Sequence, residues 1–164
     1  AGEEGEFMAK VGLIVSVLLI QIVAIPGALL LSKLSAFKGN LFALKTVVFI
    51  WILLCFSAFV VYEPIHFYCI AGFVGLVMGG IQSLSRSTFS KYIPSGTKDT
   101  SSFFSFYDIS EKLGIVIGMF SYGFIEQITG SMRNSIVALV VFFVIGLILL
   151  FFVPKEEVLI DNYG

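Results

Sequence analysis

Long stretches of apolar residues without a charged side chain limit what this sequence can fold into. Val11–Leu31, Thr46–Tyr62 and Asn134–Val153 contain no Asp, Glu, Lys or Arg. A membrane-spanning helix needs about 20 mostly apolar residues, whereas a soluble domain has about 25% charged residues. Here 13% of the residues are charged and the mean hydropathy is +1.02. The sequence therefore predicts an all-α, polytopic membrane helix bundle whose solvent is a lipid bilayer.

Five segments are expected to cross the membrane. In chain order, segments A to E cover about 11–31, 46–62, 67–85, 103–125 and 134–153. Segment D also carries Asp108, Glu111 and Lys112, so its alternative interpretation is an amphipathic connecting helix. The apolar continuation Gly114–Ile125 favours a span, because polarity at one end of a helix suits a water-filled cavity.

The connections between the segments carry turn residues and an uneven distribution of Lys and Arg. Turns are predicted at Gly39-Asn40 within 32–45, at Glu63-Pro64, at Pro94-Ser95-Gly96 and at Thr129-Gly130-Ser131. Asp99 to Ser101 offer N-cap oxygens for segment D, and Pro154 is expected to end segment E. One side of the membrane then receives Lys33, Lys38, Lys45, Arg86, Lys91, Lys98 and Lys155, and the other receives Lys10 and Arg133. Basic residues concentrate in cytoplasmic loops, which predicts a cytoplasmic C-terminus.

Several classes of function find no support in the residues. A formal charge of −1 argues against nucleic acid binding, which calls for a basic stripe. His66 is the only histidine, and Cys55 and Cys69 lack a C-x-x-C spacing, so we expect no metal site and no cofactor. Both cysteines are predicted to be buried packing residues. An intramembrane enzyme is not expected either, since the serines of segment C have no nearby histidine.

Polar residues are confined to segments A, C and D, whereas B and E are almost purely apolar. A helix that lines a water-filled path must show polar or small residues on one side. Gln21 and Gln82 are predicted to be neutral hydrogen-bonding groups on this path. Asp108, Glu111 and Lys112 are predicted to form a charged cluster near its cytoplasmic end. Tyr107 is predicted to be an interfacial aromatic residue or part of a gate.

Spacing within the charged cluster and the glycines suggests specific contacts. Asp108 and Lys112 are four residues apart, share a helix face and can pair. The alternative for the cluster is an anchor at the membrane interface, which is also the role expected for Arg86 and Lys91.

Two G-x-x-x-G spacings, Gly75/Gly79 and Gly114/Gly118, predict close approach of C and D to other helices, with or without a role in transport.

Four segments together resemble the vacuole-effluxer-like family of the major facilitator superfamily. They are GLVMGGIQSLSR at 75–86 with STFSKYIPSG after it, FFSFYDISEKLG at 103–114, GSMRNSIVAL at 130–139 and QIVAIPGALL at 21–30. The resemblance extends over nearly the whole chain, and the block from Gln82 to Ser87 is its most specific part. It implies that segments A to E are helices eight to twelve of a twelve-helix transporter with alternating access.

The resemblance implies a fragment of a secondary active transporter that moves a small polar solute. An amino acid is one candidate solute, and coupling to H+ is one candidate mechanism. The implied partners are the lipid bilayer, the solute and an N-terminal transporter half that, with helix seven, precedes Ala1. The implied location is the cell membrane in a prokaryote or the vacuolar membrane in a fungus. A structural subunit without transport activity is the alternative, because the connection at 32–45 lacks the Asp and Arg usual in the superfamily.

Overall fold

The computed structural model describes residues 3–94 and 96–154, so Ser95 and the predicted cytoplasmic Lys155 lie outside the described residues. The described chain forms five α-helices and, within these ranges, no strand. The helices are α1 (Glu3–Lys38), α2 (Asn40–Val60), α3 (Pro64–Lys91), α4 (Thr100–Thr129) and α5 (Met132–Phe152). The predicted all-α membrane helix bundle is confirmed.

Four of these helices are long and apolar enough to cross a membrane. Within the described residues they are Glu6–Lys38, Asn40–Val60, Ile65–Lys91 and Met132–Phe152. Helix α4 has the length but not the apolar composition, since Asp108, Glu111 and Lys112 lie in its first half. The fifth span therefore stays a prediction.

The turn between α1 and α2 is much shorter than the sequence suggested. Gly39 alone separates the two helices, with a φ of 86° that glycine adopts without strain. Residues 32–38 and 40–45 are helical because Gly39 is the only helix-breaking residue among them. The connection predicted over 32–45 is thus helical on both sides of Gly39, and the turn itself lies where expected.

The other helix ends follow from local chemistry, as predicted. Pro64 lies in the first turn of α3, and Gly130 ends α4 with a φ of 64°. Asp99 caps α4 by accepting hydrogen bonds from the hydroxyl of Ser102 at 2.5 Å and from its backbone N–H at 3.2 Å. These two bonds favour the ionised carboxylate and lower the pKa of Asp99.

Helices α1 and α3 run in the same direction and pack with their backbones close together. A Cβ added at Gly75 would lie 2.5 Å from the carbonyl oxygen of Ile20, and one at Gly79 would overlap the backbone of Ala24. In lipid, such close packing replaces the hydrophobic effect as the force between helices. The small residues of α3 therefore fix its position on α1.

A compact core forms where α1, α2 and α3 meet. Leu31, Val47, Leu54 and Val77 pack together there, and Val47 is fully buried. Helix α2 also packs on α5, where the rings of Trp51 and Phe143 stack with centroids 5.4 Å apart.

The helices are arranged around the central pair α2 and α5. Helix α1 packs on α2 as α4 packs on α5, and α3 covers both α1 and α2. No helix of the described chain covers α4 and α5 in this way, and α4 has no buried residue. Cys55 is buried as predicted, but Cys69 is exposed, because it lies on the outer side of α3.

Each end of the bundle is held by side-chain contacts. At the Gly39 end, which contains Gly39 and residues 92–94 and 96–99, the hydroxyl of Tyr92 donates to the carbonyl oxygen of Pro154 at 2.6 Å. At the Pro64 end, which contains residues 61–63 and 130–131, the Arg133 guanidinium donates to the carbonyl oxygen of Val61 at 3.0 Å. It also lies 3.9 Å from the centroid of the Tyr62 ring.

Candidate functional site

Polar side chains of α3 and α4 meet near the Gly39 end of the bundle. The Arg86 guanidinium forms an ion pair with Asp108, with 3.3 Å between Nη2 and Oδ1. One residue earlier on each helix, the hydroxyl of Tyr107 donates to Oγ of Ser85 at 2.9 Å. Two adjacent residues of α3 thus bind two adjacent residues of α4.

Aromatic rings surround this polar pair. The ring of Phe89 lies 5.1 Å from that of Tyr107 and 6.0 Å from that of Phe104, centroid to centroid. The Arg86 guanidinium lies 5.4 Å from the Phe104 ring, within the range of a cation–π interaction. We name this group the α3–α4 junction. It consists of Ser85, Arg86, Phe89, Phe104, Tyr107 and Asp108.

The ion pair is only partly shielded from solvent. The Arg86 and Asp108 side chains retain 52% and 36% of their accessible surface, so water and salt reduce its strength. The predicted pairing of Asp108 with Lys112 was wrong, because Asp108 binds across to α3 instead of along its own helix. Arg86, expected to reach toward lipid headgroups, is engaged in the junction.

The remaining charged residues of α4 lie beside the junction. Glu111 and Lys112 are both exposed, and neither forms an ion pair within the described residues. Glu111 is seven residues after Phe104 and four after Tyr107, so it shares the face of α4 that contacts α3. Lys112 projects about 100° further around the helix.

The two predicted glutamines occupy different levels of the bundle. Gln82 is exposed and lies four residues before Arg86, so it shares the junction face of α3. Gln21 follows Ile20, which packs against Gly75. Because Gly75 precedes Gln82 by seven residues, Gln21 lies about 10 Å from Gln82 along the helix axes. Gln82 therefore lies one helical turn from Arg86 on the junction face of α3, whereas Gln21 lies apart from the junction.

The two G-x-x-x-G pairs have different surroundings. Gly75 and Gly79 lie against the backbone of α1, as described above. A Cβ added at Gly114 or Gly118 would meet no atom within 4 Å. The glycine surface of α4 is thus uncovered within the described chain.

A third contact connects the same part of α3 to α1 and α2. Nδ2 of Asn40, the first residue of α2, donates to Oγ of Ser87 at 3.3 Å, and its Oδ1 accepts from the hydroxyl of Ser35. Asn40 is buried, with 7% of its surface exposed. The consecutive residues Ser85 to Ser87 therefore bind α4 on one side and α2 on the other.

Replacing Asn40 with Ala should reduce stability by about 1–2 kcal/mol, because Ser35 and Ser87 would both lose a buried partner. Replacing it with Asp should cost less, since a carboxylate can accept hydrogen bonds from both hydroxyls. Thermal unfolding of the full-length protein in detergent measures both changes. Equal stability of Asn40→Ala and the parent protein would contradict this role for Asn40.

Sequence reasoning missed Ser85, Asn40 and Phe104, and it gave Arg86 a different role. A signal was available for the α3–α4 contacts. Antiparallel helices joined by a short loop place residues equidistant from the loop at the same level. Arg86 and Asp108 are centred on residue 97, and Ser85 and Tyr107 on residue 96, within the loop between the helices. Pairing by this rule would have predicted both contacts.

The junction contains one positive charge, one negative charge and two hydroxyl groups, those of Ser85 and Tyr107. Within the described residues, no group of three or more His, Cys, Asp or Glu side chains is placed to hold a metal ion. The groups present at the junction are suited to hydrogen bonding and charge pairing.

Comparison with known proteins identifies the family. The model of the family described as "Vacuole effluxer Atg22 like" matches residues 7–161. A Bacillus subtilis protein named "Uncharacterized MFS-type transporter YxiO" is 32% identical over 145 residues, which are 88% of this chain and 33% of that protein. "Autophagy-related protein 22" of Eremothecium gossypii is 38% identical over 82 residues, 50% of this chain and 16% of the relative.

The same-named protein of Saccharomyces cerevisiae is 34% identical over 80 residues, 49% of this chain and 15% of the relative. The chain thus spans a third or less of the length of these relatives. No solved structure matches it significantly. With a family match over almost its entire length and a helical membrane bundle, the chain belongs to the vacuole effluxer Atg22-like family.

Proposed function

We propose that this chain is part of a secondary active transporter that moves a small polar solute by alternating access. The observation that carries the proposal is the α3–α4 junction, where polar and charged groups of two helices face each other in an otherwise apolar bundle. The printed names of the relatives, an MFS-type transporter and a vacuole effluxer family, support transport. The solute we propose is an amino acid, and coupling to H+ is part of the proposal.

We propose that α1 to α5 correspond to helices eight to twelve of a major facilitator fold, with α4 as a membrane span. The contact pattern supports this assignment, because α1 packs on α2 as α4 packs on α5, and α2 and α5 pack on each other. Helix α3 has no counterpart against α4 and α5 within the described chain. A further helix of the longer protein would occupy that position and cover Gly114 and Gly118.

The proposed orientation places the Gly39 end in the cytoplasm. Lys33, Lys38, Lys45 and Lys98 lie at this end, whereas Lys10 and Arg133 lie toward the Pro64 end. Short loops rich in Lys and Arg stay on the cytoplasmic side. The α3–α4 junction then forms the inner mouth of the pathway. The membrane would be the vacuolar membrane in a fungus and the cell membrane in a prokaryote.

Transport by the full-length protein tests the proposal. Reconstituted into lipid vesicles, it should move an equimolar mixture of radiolabelled amino acids, and Gln82→Ala should slow this movement about tenfold by removing a hydrogen-bonding group from the pathway. Gln127→Ala is the matched control, since Gln127 is exposed near the Pro64 end of α4. Vesicles whose amino-acid flux does not exceed that of protein-free vesicles would contradict transport of this solute class and favour a structural subunit.

A further inference from the structure

Two lysines near the Gly39 end hold their ammonium groups over aromatic rings. Nζ of Lys38, the last residue of α1, lies 4.9 Å from the centroid of the Phe42 ring in the first turn of α2. Nζ of Lys45 on α2 lies 4.5 Å from the centroid of the Phe151 ring near the end of α5. Phe42 and Lys45 are three residues apart and share one face of α2. These four side chains form a row of alternating cations and rings, which we name the lysine–phenylalanine row.

The three helices that carry this row supply no negative charge to it. Within their described bounds α2 and α5 contain no Asp or Glu, and the acidic residues of α1 lie among its first four residues, at the other end of that helix. Of the described acidic residues near the Gly39 end, Asp99 caps α4 and Asp108 binds Arg86. Neither Lys38 nor Lys45 forms an ion pair within the described residues. The row therefore carries two positive charges that the described chain does not neutralise.

The side chain of Lys45 is directed toward the membrane surface. Helices α2 and α5 are antiparallel and Trp51 stacks on Phe143, so Lys45, six residues before Trp51, is level with Leu149. Its ammonium group contacts Phe151, a residue two positions nearer the Gly39 end. The Cα–Cβ bonds of a helix also tilt toward its N-terminus, which for α2 is this end. Lysines near the ends of membrane helices extend in this way to place their charge among the headgroups.

Exposed apolar side chains continue from the row toward the middle of the bundle. Phe49, one turn beyond Lys45 on the same face of α2, is exposed, and so is Leu149 on α5. A small anion dissolved in water gains nothing from these side chains, whereas an acyl chain contacts them. The surface therefore suits a molecule that has a negatively charged head and an apolar tail.

We propose that the lysine–phenylalanine row binds the headgroup of an anionic phospholipid in the membrane leaflet at the Gly39 end. The lipid phosphate pairs with the ammonium groups of Lys38 and Lys45, and the acyl chains lie along Phe49. A bound headgroup connects the end of α1 to the end of α5 through α2 and so stabilises the bundle. Such binding does not depend on transport, because it requires only that this end lies at a membrane surface. Anionic lipids are concentrated in the cytoplasmic leaflet, the side proposed above for the Gly39 end.

Lipid binding by the full-length protein in a neutral detergent tests this site. The probe is dioleoylphosphatidylglycerol, the neutral reference is dioleoylphosphatidylcholine, and native mass spectrometry measures the affinity for each. We expect tighter binding of phosphatidylglycerol, and Lys38→Gln and Lys45→Gln should each weaken it about fivefold, the usual contribution of one lysine near an anionic surface. Lys38→Arg/Lys45→Arg should retain most of the affinity, since it keeps both charges. Equal affinities of the wild-type protein for the two lipids would overturn the proposal.

Lys33→Gln/Lys98→Gln is the matched control, because it removes two positive charges from the same end of the bundle. Both side chains are exposed, and Lys33 projects about 140° around α1 from Lys38. This variant should keep the affinity for phosphatidylglycerol within about twofold, whereas Lys38→Gln/Lys45→Gln should lose about 25-fold. Equal losses in the two double variants would mean that the lipid is attracted by the overall charge and not by the row, which refutes the site.

Thermal unfolding of the full-length protein separates the lipid from two other occupants. Phosphatidylglycerol should raise the unfolding temperature, because a ligand that binds only the folded state stabilises it, and inorganic phosphate should not. Stabilisation by inorganic phosphate that Lys38→Gln/Lys45→Gln abolishes would assign the row to a free anion instead. Glu156 and Glu157 follow the described residues in the sequence. If Glu156→Gln/Glu157→Gln lowered the unfolding temperature without lipid as much as Lys38→Gln/Lys45→Gln does, these carboxylates would be the partners of the row and the lipid would not.

Discussion

Gly79→Ala should destabilise the full-length protein by about 1–3 kcal/mol, because overpacking of a well-packed interface costs this much. The new Cβ would overlap the carbonyl oxygen and Cα of Ala24 in α1. Backbone atoms cannot rotate away as a side chain can, so α1 and α3 would have to separate along their whole contact. Thermal unfolding in detergent, with and without the substitution, measures the loss.

Gly72→Ala provides the control for this prediction. Gly72 lies two turns earlier on α3, and a Cβ there would meet no atom within 4 Å. Both substitutions change the intrinsic helix propensity of α3 equally, so the difference between them isolates the contact with α1. Gly72→Ala should leave the stability unchanged or raise it by up to about 1 kcal/mol, because Ala has the higher helix propensity and its Cβ meets no neighbour there. Equal unfolding temperatures of the two variants would show that α1 and α3 are not packed as described.

Reversing one charge of the junction should weaken the α3–α4 contact, and reversing both should restore it. Arg86→Glu places a carboxylate opposite Asp108, and Asp108→Arg places two guanidinium groups together. We expect each single change to cost about 1–2 kcal/mol, below the 3–5 kcal/mol of a fully buried pair because both side chains are partly exposed. The double variant Arg86→Glu/Asp108→Arg should recover at least half of the summed loss.

A double-mutant cycle on unfolding of the full-length protein gives the coupling energy between Arg86 and Asp108. Lys112→Glu is the informative control, because the sequence had suggested Lys112 as the partner of Asp108. It should change stability by less than about 0.5 kcal/mol, as expected for an exposed residue without a described partner. If Lys112→Glu matched Arg86→Glu in its effect, the pairing across the two helices would be refuted.

Particular residues show how far sequence reasoning extends. Pro64, Asp99 and Gly130 act within one turn of themselves, and the helix ends they predict are present. The turn predicted within 32–45 is present at Gly39, but the sequence did not show that the residues on both sides of it are helical, because charged side chains at a membrane surface are compatible with helix. Gln82 and Asp108 belong to one region of the structure, whereas Gln21 is separated from them by its depth on α1.

The sequence by itself determined that the protein lies in lipid and that it forms five helices. It also determined that α2 and α5 are almost purely apolar, whereas α1, α3 and α4 carry polar residues. These properties follow from apolar length, from turn residues and from composition, all of which act locally along the chain. Only the tertiary structure decided that Arg86 pairs with Asp108, that a Cβ at Gly79 would overlap α1 whereas one at Gly118 would meet no atom within 4 Å, and that Glu111 has no ion-pair partner among the described residues. The physical reason is that ion pairing and helix packing depend on distances between residues of different helices, and those distances are set by the way the helices pack together.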